Sequence, residues 1–118
     1  MQRDDFERLL QEAVDEGLAS LGESAKQAIY FHLERIFGIR KEGISDSVET
    51  FADALKEIFG QGADFIEILI MKRLYEKTGH VLKGKRLESF GFTEYVEVSK
   101  RNFREKRVPA RARKDASR

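Results

Sequence analysis

The sequence predicts an all-α fold: a compact bundle of about five helices with a central apolar helix at about 63–77 and a disordered basic C-terminal tail. Three observations carry this prediction. Single glycines separate stretches of helical length. Within each stretch, apolar residues recur at i, i+3, i+4 and i+7, the spacing of one helical face. The competing strand-like alternation Phe90, Phe92, Val96, Val98 is broken by Glu94.

The first helix is expected from about Arg3 to Leu21. Phe6, Leu9, Leu10, Ala13, Val14, Gly17, Leu18 and Leu21 fall on one face. Asp4, Asp5 and Glu7 occupy its first turn, where the helix dipole favours carboxylates. Gly22 fits a C-terminal stop, and Ser24 is placed to cap the second helix, about Ala25 to Phe37. Ala25, Ala28, Ile29, His32, Leu33 and Ile36 form its stripe, with Gly38 as a left-handed stop and Ile39 as the apolar residue that follows it. A loop, Arg40 to Ser45, comes next.

Asp46 followed by Glu49 has capping-box spacing and predicts the start of a third helix. Val48, Phe51, Ala52, Leu55, Ile58 and Phe59 give its face, and Gly60–Gln61–Gly62 is a tight link to the fourth helix, about Ala63 to Lys77. There Phe65, Ile66, Ile68, Leu69, Ile70 and Met71 are interrupted only by Glu67. The β-branched content suggests a strand, but the length between Gly62 and Gly79 favours a helix surrounded by the others, too short to span a bilayer. His80 to Gly91 reads as a polar connection. A fifth helix, about Glu94 to Lys106 with Thr93 as cap, turns Phe92, Tyr95, Val96, Ser99 and Phe103 inward.

Composition limits the function. A chain of 118 residues with 41% hydrophobic residues supports one small core, expected at 1–106 as a single domain. The absence of cysteine excludes disulfides, thiolate metal ligands and a cysteine nucleophile. No signal-like or membrane-length apolar run is visible, which predicts a cytoplasmic protein. One proline and five amide side chains (Gln2, Gln11, Gln27, Gln61, Asn102) among many Lys, Arg and Glu point to a thermophilic source. The formal net charge of +1 conceals a division: residues 1–79 carry 10 basic and 16 acidic side chains, residues 80–118 carry 12 and 5. Such asymmetry predicts a folded body with a basic flexible tail at 107–118.

Three segments are familiar as a set. SLGESAKQAIYFHLERIFGI (Ser20–Ile39), FADALKEIFGQGADFIEILIMKRLYEK (Phe51–Lys77) and FTEYVEVSKRNF (Phe92–Phe103) resemble the archaeal NitrOD5 output-domain family. The likeness covers most of residues 10–104. It implies a small all-helical module, found alone or joined to sensory domains in archaeal signalling proteins, with a regulatory interaction role and no catalytic residues.

Residue chemistry supplies no reaction. His32 sits on an apolar stripe between Ile29 and Ile36, where a core or interface histidine is expected before a catalytic one. His80 lies past the fourth helix and has no second ligand at metal spacing. Asp4–Asp5, Asp15–Glu16 and Glu12–Glu16 are read as a solvated face. Gly60–Gln61–Gly62 lacks the context of a phosphate loop, and Ser20, Ser24 and Ser89 lack a nucleophile elbow. No catalytic, cofactor or metal residue is therefore expected.

Two binding features remain. Nine Phe and three Tyr are many for so small a core, which predicts that some of Tyr30, Phe31, Phe37, Phe59 and Tyr75 form an apolar interaction surface, with a homodimer as the expected assembly. The alternative is a small nucleic-acid-associated protein that holds phosphate through Lys100, Arg101, Arg104, Arg107, Arg111, Arg113 and Lys114. The tail has no interleaved aromatics, so base stacking is not expected.

Overall fold

The computed structural model describes residues 5–78 and 90–106. These form five α helices: α1 (Asp5–Ala19), α2 (Glu23–Phe37), α3 (Val48–Phe59), α4 (Ala63–Thr78) and α5 (Phe92–Lys106). Two 3-10 turns, Lys41–Asp46 and Gly60–Gly62, flank α3. No strand occurs among the described residues. The all-α expectation holds, including helix rather than strand at 92–106.

Amphipathic spacing decides α1. Phe6, Leu10, Ala13, Val14, Gly17 and Leu18 are buried on the predicted face, while Leu21 falls beyond the helix and is exposed. This face lies mainly on α4, with Gly17 set against Ile70. A Cβ added there would stand 2.7 Å from Ile70 Cγ1, closer than nonbonded carbons pack, so glycine sets the spacing between the two helices. Ion pairs border the contact: Lys77 Nζ lies 2.6 Å from Glu16 Oε2 and 3.4 Å from Glu12 Oε1.

Helix ends depart from the sequence expectation where side-chain caps were assigned. Gly22, not Ser24, is the residue before α2, and Ser24 lies inside the helix. The stop after α2 is as expected: Gly38 has φ 69°, and its N–H donates to Glu34 O at 3.2 Å. Ile39 then donates to Leu33 O at 3.1 Å and buries its side chain. The segment read as a loop from Arg40 is wound into the 3-10 turn because Ile44 is apolar and goes to the core against α1. That turn takes in Asp46, so the Asp46–Glu49 capping box does not form and Ser47 precedes α3 without a side-chain cap. Thr93 likewise lies within α5, one residue past its start, instead of capping it.

The core joins all five helices. Phe51 of α3 meets Phe92 of α5 with ring centroids 6.0 Å apart, and Phe6 of α1 meets Phe103 of α5 at 6.0 Å. Tyr95, Phe6, Phe51, Leu10, Leu18, Leu33, Ile44, Leu55, Ile70 and Leu74 are fully buried. Burial pushes the Tyr95 hydroxyl up to about 12, with Ser99 beside it acting in the opposite sense. Helix α4 touches α1, α3 and α5, as a central helix should, yet one of its faces is left uncovered.

Candidate interaction surface

The phase of α4 is set by Ile66, Ile70, Met71 and Leu74, which share one face and are buried. Every other position follows from that choice at 100° per residue. Glu67 shares the inward face and is 8% exposed, while Phe65 and Ile68 point outward at 62% and 39%. The only acid in the apolar run is thus inside, and two of its large apolar side chains are outside. The apolar run by itself predicts a helix surrounded by the others. A helix apolar on every side carries no amphipathic signal to say which side will be left open.

Glu67 is held in a strained electrostatic position. Its Oε2 is buried without a hydrogen-bond partner. Burial raises its pKa above the usual carboxylate range, Lys56 on α3 draws it back down, and Asp64 adds to the rise.

The outward stripe of α4 runs through Asp64, Phe65, Ile68, Lys72 and Tyr75, with Leu69 half-buried at its edge. Tyr75 is 37% exposed. A second exposed pair lies on α2, where Phe31 and Ile36 are 64% and 63% exposed. The Arg35 guanidinium stacks over the Phe31 ring at 5.6 Å and shields part of it. His32 is exposed beside them and meets Phe37 edge-on at 5.9 Å. It lies outside the core, because only Ile29 and Leu33 of the predicted α2 stripe are buried.

The five aromatics expected at the surface therefore divide. Phe31 and Tyr75 are exposed. Tyr30, Phe37 and Phe59 pack partly against the core. Tyr30 fastens α2 to α1: its hydroxyl donates to Asp15 Oδ1 at 3.2 Å, and Lys26 Nζ reaches Asp15 Oδ2 at 3.1 Å. Burial, then the Asp15 charge, pushes the Tyr30 hydroxyl far above its ordinary value. Asp15, Glu12 and Glu16 are thus more than a solvated face, since they bind Lys26, Lys77 and Tyr30 across helix contacts. Hydrogen bonds to these carboxylates hold both lysines above their ordinary range, through Asp15 for Lys26 and Glu16 for Lys77.

The basic set is only partly in view. Lys100 Nζ donates to the Ser45 carbonyl at 3.2 Å and so ties α5 to the first 3-10 turn. Arg101 and Arg104 are exposed and share an open groove of about 580 Å³ with Lys100, Glu97 and Glu105. The two glutamates offset much of the positive field that a phosphate would need. Arg107, Arg111, Arg113, Lys114 and His80 lie outside the described residues. Among the described residues no cluster of His, Cys, Asp or Glu could hold a metal ion, and no helix is long and apolar enough to cross a membrane. Comparison with family profiles, curated proteins and solved structures finds no match.

Proposed function

We propose that this chain is a non-catalytic, cytoplasmic protein-interaction module of the signalling-output kind that associates with itself through an apolar helical surface. One observation carries the reading: α4 buries Glu67 and leaves Phe65 and Ile68 in solvent. The phase that buries Ile66, Ile70, Met71 and Leu74 leaves both features in the monomer, where exposed apolar area and a buried carboxylate are each unfavourable. The excess is relieved when a second surface covers the outer face. The resemblance of Ser20–Ile39 and Phe51–Lys77 to archaeal output domains supports the same role.

Light scattering across a concentration series tests the reading. The mass of the wild-type chain rises toward twice that of the monomer by about 1 mM, where an association of only about −4 kcal/mol is visible. Phe65→Asp abolishes the rise while circular dichroism keeps its helical signal. A monomeric wild type throughout the series refutes self-association.

A further inference from the structure

The occupant of the α4 face can be specified from its charge pattern, given the self-association proposed above. The stripe is acidic at one end, apolar in the middle and basic at the other: Asp64, then Phe65 and Ile68, then Lys72. Asp64 and Lys72 are both exposed, and among the described residues neither side chain forms a hydrogen bond or ion pair. Their charged neighbours are already engaged within the monomer. Arg73 lies 3.9 Å from Glu16 and 3.5 Å from Glu76, and Lys77 is held by Glu12 and Glu16. Among the described residues, the uncovered face therefore has an acid, Asp64, and a base, Lys72, that pair with no other side chain, four residues to either side of Ile68.

We infer that the partner is a second copy of this chain, docked with α4 antiparallel to α4 about a two-fold axis at Ile68. A two-fold contact is self-complementary: if position i meets j, then j meets i. With the axis at Ile68, Asp64 of each protomer faces Lys72 of the other. Gln61 likewise faces Tyr75, whose hydroxyl can accept from or donate to the amide. The two Ile68 side chains meet at the centre, and each Lys72 stem lies over the other protomer's Phe65 while its ammonium reaches Asp64. A parallel arrangement would oppose Asp64 to Asp64 and Lys72 to Lys72, which the charges disfavour. One short helix face per protomer buries less than the roughly 800 Å² per partner typical of stable complexes, so the dimer is weak and its charge pairs determine orientation more than affinity.

Mixing charge-reversed variants of the full chain tests this geometry. Asp64→Lys and Lys72→Asp each place like charges across both ends of the contact, and each homodimer weakens by about tenfold. Mixed in equal amounts, the two variants restore opposite charges at both ends. The mixture then associates within about threefold of the wild type, and the difference from the separate variants shrinks in high salt. A mixture no stronger than either variant alone, when the wild type dimerises and Phe65→Asp does not, overturns the antiparallel pairing while leaving self-association intact. Circular dichroism on each variant shows that the fold is retained, since both positions are exposed.

Discussion

Helices α1 and α4 lie against each other and are nearly equal in length, at 15 and 16 residues, but they divide their side chains in opposite ways. In α1 the large apolar residues point to the core, and the outer positions are mostly charged or polar. In α4 apolar residues occupy both faces and a glutamate is turned inward. The first pattern is what folding alone requires. The second contains apolar surface that the monomer does not use, and the proposed self-association would cover this surplus. Whether α1 is structural and the outside of α4 functional can be tested by substitutions on each.

The largest contrast should come from truncating one apolar side chain on each helix. Leu18→Ala removes a fully buried side chain from α1 and is expected to cost about 2–5 kcal/mol in denaturant unfolding. Phe65→Ala on the outside of α4, at a position 62% exposed, should change monomer stability by less than about 0.5 kcal/mol. Equal losses at the two sites would mean that the outer face of α4 is part of the folded core after all.

A smaller effect is expected where the helices touch. Gly17→Ala gains up to about 1 kcal/mol in helix propensity but drives a methyl group into Ile70. The net result is a loss of about 1–2 kcal/mol, read from the urea midpoint. Pairing it with Ile70→Val, which removes a methyl group near the clash, should return part of that loss. Full additivity of the two changes would show that the contact is not shared.

The smallest effect concerns the inward carboxyl. Glu67 has its pKa raised in the folded state by burial, so the proton is bound more tightly in the native chain than in the unfolded one. Its contribution is therefore most favourable below the ordinary carboxylate pKa and is lost as pH rises through the raised folded value. Glu67→Gln should stabilise the protein at neutral pH by up to about 1 kcal/mol. The advantage over wild type should shrink as the pH is lowered toward the ordinary carboxylate range. A difference independent of pH between 4 and 7, on the order of the range over which carboxylates titrate, would show that Glu67 is not the titrating group.

Much of the architecture was legible before the structure. The inward faces of α1 and α5 and the glycine stop at Gly38 follow from spacing and backbone preference, which are local properties. The caps were less legible. Asp46–Glu49 has the right spacing for a capping box, but the burial of Ile44 winds the preceding residues into a turn that absorbs Asp46. The apolar neighbours of His32 predict a core or interface histidine, and the core half of that expectation fails because α2 buries only Ile29 and Leu33 of its stripe. The candidate surface was half legible: Phe31 and Tyr75 stand out as surplus aromatics, whereas Phe65 and Ile68 are hidden inside a run that reads as core.

The sequence by itself determined that the chain folds into helices, where most of them stop, and which side of α1 and α5 faces inward. Those outcomes depend on hydrogen bonding within a helix and on apolar residues confined to one stripe. Only tertiary structure decided the rotation of α4, because a helix with apolar side chains all round can be buried at almost any angle. Its neighbours chose one, with Gly17 admitting Ile70, and that choice put Glu67 inside and left Phe65 and Ile68 facing out.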